Sequence, residues 1–306
     1  MKTLFFTGKG GVGKSTLASA AAWQLAEKGN RVLAVSLDPA HNLGDIFHID
    51  LSHKKKRFKN TSLYLQETDL EKSAQEYLSA NKGLMEEMYS YTRPFHMDRY
   101  FNVLKYSPGV EEYAALTSLD RILTSEENNF DYIVFDTPPT GLTLRILALP
   151  QITVSWIDRL IKIRLEILEK RHTVHNITGT YDEKRFSVPY KEEDDRVMEK
   201  LREMRGRYRR VQEILQSPDT TIALVFNPDF LSFRESERLF KGLMELELPL
   251  RVAFDNKMHE SLGDRADKVE AELLKGRKEV ALQRVGLIDH CEPTCYIMDT
   301  DLTAHL

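Results

Sequence analysis

The chain has few cysteines, no long apolar run and no dominant sign of charge. Its only two cysteines among 306 residues are Cys291 and Cys295, which leaves no material for a disulfide framework. No run of about 18 apolar residues occurs, so no segment reads as a membrane-spanning helix. Lys and Arg number 43 against 47 Asp and Glu, for a net charge of −4. That balance supplies no global basic field, and no nucleic-acid partner is expected. The first apolar run begins at once, without the charged and apolar regions of a signal peptide, which predicts a cytoplasmic location. Repeats and low-complexity tracts are absent. At 42% hydrophobic and 29% charged residues, the chain reads as a soluble globular protein able to bury a large core.

Glycine is sparse, yet four of the 15 glycines fall between positions 8 and 13. Gly8-Lys9-Gly10-Gly11-Val12-Gly13-Lys14-Ser15-Thr16 satisfies the phosphate-binding loop pattern. In such a loop, glycine-rich backbone N–H groups cradle phosphates, the lysine reaches the outer ones and the hydroxyl meets Mg²⁺. Gly8, Gly10, Gly11, Val12, Gly13, Lys14, Ser15 and Thr16 are therefore the predicted nucleotide contacts. The apolar run Thr3–Thr7 precedes the loop and a helix-forming run from Thr16 follows it, as an anion site at a helix N-terminus requires. Lys14 already serves the β/γ-phosphates, so Lys9 is redundant within one molecule. Its expected role is to supply charge to a nucleotide in a facing subunit, as an arginine finger does.

Apolar runs at 31–37, 62–67, 131–136, 221–226 and 250–254 alternate with helical stretches, which predicts an α/β fold with a doubly wound, mostly parallel sheet. Two helical insertions, about 70–105 and 151–215, interrupt the alternation. In the second, Val197, Leu201, Met204, Tyr208, Val211 and Leu215 form one helical stripe, and Ile157, Leu160, Ile161, Leu165 and Leu168 another. The polar segment between them, about 173–195, reads as mobile, and the arginines from Arg202 to Arg210 as the wet face of a helix. Asp38 and Asp136 each close an apolar strand beside the loop. Asp136 is placed to hold Mg²⁺ directly or through water, together with Ser15, and Asp38 to orient the attacking water as well as to approach the metal.

The combination of GKGGVGKST, DPAHNLGD (38–45) and DTPPTGLTLRILALP (136–150) resembles the arsenite-pump ATPase family of signature-lysine P-loop ATPases, which includes targeting factors for tail-anchored membrane proteins. Stretches 107–112 and 227–238 are also family-like. The resemblance implies one P-loop ATPase domain over 1–306, with the insertions forming a helical subdomain. It implies ATP and Mg²⁺ as ligands and a homodimer in which Lys9 crosses to the partner's phosphates. Lys14, Ser15 and Thr16 would bind within the subunit, and Asp38 would position the hydrolytic water. Residues 38–45 and 136–145 would be switches that sense the γ-phosphate. Asn256 matches the adenine-recognising position, though an asparagine there also suits a turn.

A client or membrane-associated partner is implied too. Leu84, Met85, Met88, Tyr89, Phe95 and Met97, with the Trp156–Leu168 stripe, read either as its groove or as ordinary core. An energy-coupling subunit of an anion or metalloid pump and a partitioning-type positioning ATPase are the alternatives. The zinc-sharing Cys-x-x-Cys pair of targeting factors is missing, as are the arsenite pump's metalloid-binding cysteines. Cys291 and Cys295, spaced Cys-x3-Cys beside His290, read as ordinary reduced cysteines or as half a metal site. Lys54–Lys59 reads as a solvated loop, and His41 lies within the first switch.

Overall fold

The computed structural model describes residues 1–40, 42–88, 109–178, 189–287, 298 and 300–306, with residues 80–88 and 178 in backbone alone. His41, Tyr89, Phe95, Met97, His290, Cys291 and Cys295 lie outside the described residues, as do the side chains of Leu84, Met85 and Met88. The strands are β1 (Lys2–Thr7), β2 (Val32–Ser36), β3 (Lys56–Arg57), β4 (Leu63–Glu67), β5 (Tyr132–Asp136), β6 (Thr220–Phe226), β7 (Leu250–Met258) and β8 (Ala281–Gly286). The helices are α1 (Lys14–Glu27), α2 (Asn42–Phe47), α3 (Leu70–Met88), α4 (Val110–Ser125), α5 (Thr140–Thr178), α6 (Arg196–Gln216), α7 (Phe230–Glu245) and α8 (Gly263–Leu273).

All eight strands join one sheet in the order β3-β4-β2-β5-β1-β6-β7-β8. Every pairing is parallel except β3 with β4. The chain first builds one side of β1 and then, from β6, the other. The carboxyl end of β1 is therefore a topological switch point, where such sheets open a ligand crevice.

Alternation along each strand divides the core into two layers. Phe5, Leu33, Val35, Phe135 and Leu224 face helices α4 to α7, whereas Leu4, Phe6, Ala34, Val134 and Val225 face α1. The small side chains Ala18, Ala21 and Ala22 let α1 lie close against its layer.

Both edge strands depart from the sequence expectation. The Lys54–Lys59 stretch is not wholly loop, since Lys56 and Arg57 pair with β4. They are exposed there, and charge on an outer strand discourages pairing with another chain. At the other edge β8 buries only Val285 fully, so it carries no apolar run to announce it.

The second insertion also needs correction. The helix expected to start near 151 begins at Thr140 and runs through Pro150 to Thr178. A proline inside a helix costs about 3 kcal/mol. Burial of Ile146, Leu147, Val154 and Ile157 around it offsets that, at roughly 1.5–3 kcal/mol per side chain. Of the expected α5 stripe, Ile157 and Leu168 are buried, while Leu160 and Leu165 are exposed. The α6 stripe packs as expected, with Leu201, Tyr208, Val211 and Leu215 buried and Val197 and Met204 against them. Its arginines are not simply wet. Arg202, Arg205, Arg207 and Arg210 pair with Glu192, Asp158, Asp120 and Glu127. Most of the segment expected to be mobile is helix or lies outside the described residues.

The C-terminal residues strap α1 in place. Gln24 Nε2 donates to the carbonyls of Thr300 (2.8 Å) and Met298 (3.3 Å), and its Oε1 accepts from the Leu302 N–H (2.8 Å). Leu302 is fully buried. Replacing Gln24 with Ala strips three partly buried bonds and should cost about 2 kcal/mol. Thermal or denaturant unfolding would detect this, and an unchanged midpoint would show the strap to be idle.

Candidate nucleotide-binding site

The glycine-rich loop leaves β1 and enters α1 with the conformations an anion cradle needs. A Cβ at Gly8 would lie 2.0 Å from the Val225 carbonyl oxygen, so only glycine lets β1 exit beside β6. Gly13 caps α1 in the left-handed region (φ 98°), and a Cβ there would meet Asn256 Nδ2 at 2.4 Å. No side chain caps the helix, and no acidic residue occupies its first turn. Its leading N–H groups and positive dipole end are thus left for an anionic ligand.

Lys14, Ser15, Thr16, Asp38, Asn256 and Lys257 line a common cavity of about 370 Å³ with Gly10, Gly11 and Gly13. Lys14 is buried, and its Nζ donates to the Lys9 carbonyl at 3.2 Å. Burial lowers its pKa, opposed by the charges of Asp136, Asp38 and Glu235.

Asp136 ends β5 and is 1% exposed. Neither carboxylate oxygen has a hydrogen-bond partner of good geometry. Burial raises its pKa to about 7, while Ser15 and Lys14 pull it down and Asp38 pushes it up. A buried carboxylate with both oxygens unsatisfied beside a serine hydroxyl suits a hard divalent cation, so the residues fit Mg²⁺.

Asp38 follows β2 and lines the cavity, and its Oδ1 accepts from the Ala40 N–H at 3.0 Å. Lys9 stands outside the cavity, its Nζ 4.0 Å from Asp229 Oδ1. Asp229 also caps α7 by accepting from the Ser232 N–H at 2.9 Å. Asn256 is nearly fully buried at the end of β7, and one of its N–H donors is committed to the Val12 carbonyl at 2.8 Å.

The stretch 136–145, expected to be the second switch, is tied to the sheet and continuous with α5. Thr137 Oγ1 donates to the Phe6 carbonyl at 2.8 Å, and Thr143 Oγ1 to the Pro138 carbonyl at 2.6 Å. Two residues on, Arg145 pairs with Glu112 of α4 at 2.9 Å.

The structure thus gathers Lys14, Ser15, Thr16, Asp38, Asp136 and Asn256 about one crevice, with Lys9 beside it. Sequence reasoning missed Asp229 as the Lys9 partner and Lys257 as a lining residue. The first lay in a stretch noted only for its resemblance. The second had no local signal, because its position depends on the path of β7.

A family profile described as anion-transporting ATPase matches residues 1–302. The putative arsenical pump-driving ATPase 2 of Aquifex aeolicus is 31% identical over 98% of this chain and 91% of its own length. The ATPase ASNA1 homolog of Plasmodium falciparum is 32% identical over 78% of the chain and 58% of its own length. The ATPase GET3B of Arabidopsis thaliana is 30% identical over 82% of the chain and 62% of its own. The chain therefore spans nearly all of one relative and about three fifths of the other two. With a parallel sheet, a glycine loop at its switch point and a profile match across its length, the chain belongs to the anion-transporting ATPase family of P-loop ATP hydrolases.

Proposed function

We propose that the chain is a Mg²⁺-dependent ATPase that closes as a homodimer around ATP and couples hydrolysis to the handling of a client or partner. The observation that carries this reading is the convergence of Lys14, Ser15 and Asp38 on one cavity, with Asp136 buried beside them and interacting with all three. Ser15 and Asp136, with Asp38 nearby, would hold Mg²⁺, which neutralises charge on the β/γ-phosphates. The loop N–H groups and Lys14 bind and orient the triphosphate. Asp38 holds a water in line with the γ-phosphorus and accepts its proton, while Asn256 reads the adenine edge. In the single subunit Lys9 rests against Asp229, and closure carries it across to the partner's phosphates.

Lys9→Ala should leave MgATP affinity of the subunit within about threefold. It should abolish nucleotide-driven dimerisation and lower kcat, by a factor on the order of 10³ if Lys9 matches an arginine finger. Light scattering with and without MgATP reads the first effect and phosphate release the second. Wild-type values for both would remove the role in trans.

Support for client handling comes from α5, which exposes Ile152, Trp156, Leu160, Ile163 and Ile167. Their spacing of three and four puts them on one helix face, and α5 starts within the switch stretch itself. Trp156, 64% exposed, can change to Ser without opening a core cavity. Trp156→Ser with Leu160→Ser should weaken binding of an apolar helical peptide at least fivefold, by fluorescence anisotropy, with basal ATPase unchanged. Equal binding by wild type and double variant would separate this face from the client.

A further inference from the structure

Among the described residues that line the cavity, Lys257 is the only non-glycine with a positive φ. It lies within β7 yet has φ +59°, in the left-handed region. The pairing of β7 with β8 shifts register between Asp255 and Met258, across this point. A non-glycine residue in that region costs on the order of 1 kcal/mol and is kept where something compensates.

The compensation is visible at the loop. In a regular strand, consecutive side chains point to opposite faces, so Asn256 and Lys257 would diverge. The left-handed turn brings both to the same side. Asn256 Nδ2 donates to the Val12 carbonyl and Lys257 Nζ to the Gly11 carbonyl, each at 2.8 Å. Two consecutive residues of β7 thereby hold two consecutive carbonyls of the phosphate loop.

Each of these carbonyls shares a peptide plane with the N–H that follows it. A donor fixing the Gly11 carbonyl orients the Val12 N–H, and one fixing the Val12 carbonyl orients the Gly13 N–H. Gly11 and Gly13 have φ of +81° and +98°, conformations that glycine adopts at little cost and leaves as readily. Without such a clamp, those planes would have to be fixed when a ligand arrives. An ammonium on the Gly11 carbonyl also polarises the attached N–H and adds positive charge near the phosphates.

We propose that Lys257 is a positioning residue for ATP binding, bent out of its strand to clamp the phosphate loop by its carbonyls and pre-orient its N–H groups toward the triphosphate. The inference rests on the reading of this loop as the nucleotide site. Lys257 does not replace Lys14, which donates to the Lys9 carbonyl instead.

The test compares Lys257→Gly, Lys257→Met and Lys257→Arg in the full chain. Glycine removes the clamp and relieves the backbone conformation, methionine keeps the bend and removes the donor, and arginine restores a cationic donor. Affinities for a fluorescent ATP analogue with Mg²⁺, thermal midpoints, kcat and KM are measured for each.

The glycine and methionine variants should bind about five- to twentyfold more weakly, with KM rising in step and kcat within twofold. The glycine variant should melt at or above the wild-type temperature, and arginine should recover most of the affinity. A residue serving only stability would lower melting temperature and affinity together in the glycine variant, and that result overturns the proposal. So does nucleotide affinity within twofold of wild type in the methionine variant. Lys14→Ala, measured alongside, separates the two readings. If it binds nucleotide as wild type does, the loop itself is not the site. If it fails to bind while Lys257→Met binds normally, only the clamp is refuted.

Discussion

Asp38→Asn should bind MgATP within about threefold of wild type and hydrolyse it 10²- to 10⁴-fold more slowly, the range a positioned general base contributes. Asparagine keeps an amide oxygen where Asp38 Oδ1 accepts the Ala40 N–H, so the turn after β2 survives the change. What is lost is the negative charge and the capacity to take a proton from water at the γ-phosphate. Phosphate release under saturating nucleotide, together with a binding isotherm, separates the two. Turnover at the wild-type rate would strip Asp38 of the water-positioning role. The variant also tests the coupling to closure, since a subunit that binds without hydrolysing should accumulate as the ATP-bound dimer.

The second large effect concerns Asp136 and has a definite sign in pH. Burial raises its pKa to about 7, so in the ligand-free protein it is mostly protonated below neutrality. Only the carboxylate form can hold a divalent cation, so cation binding must release a proton. Mg²⁺ affinity should fall about tenfold per pH unit below 7 and level off above 8. Calorimetry in buffers of different ionisation enthalpy should count about half a proton released per Mg²⁺ at pH 7 and close to one at about pH 6. Asp136→Asn should weaken Mg²⁺ binding and abolish that release.

Stability follows the same shift. The folded carboxyl keeps its proton up to about pH 7, and the unfolded one loses it near 3.8. The stabilisation is full below the unfolded pKa and is lost as pH rises through the folded one. The wild type should therefore lose stability relative to Asp136→Asn between about pH 4 and 7, by at most roughly 4 kcal/mol. Asp255, raised to about 8 mainly by its own burial and then by Glu270, adds a loss of the same sign in both proteins and cancels from the difference. A flat difference across pH would show that Asp136 is ionised throughout and has no proton to release.

Much of this was legible in the chain because it is local. The loop from Gly8 to Thr16 declares itself through spacing, since a tight anion cradle admits only residues without a Cβ at its turning points. The buried strands declared themselves as apolar runs, because a parallel strand covered on both faces has no polar side. Asp38 and Asp136 were found by their place at the ends of such runs. The edge strands were not legible. β3 has two charged residues and β8 one fully buried side chain, because an outer strand has only part of its surface to hide. Pro150 misled for a related reason, since its local penalty is overcome by packing that no window of sequence contains.

The sequence alone determined the phosphate loop, the buried central strands and the acids that close two of them, because each depends on neighbours a few positions away. Tertiary structure decided what depends on distant segments meeting. Lys9 rests on Asp229, α5 starts at Thr140 within the stretch 136–145, and a bend in β7 sets Lys257 on Gly11. Chain separation hides such contacts from any local pattern, since they form only once the sheet has aligned the ends of β5, β1, β6 and β7 in that order.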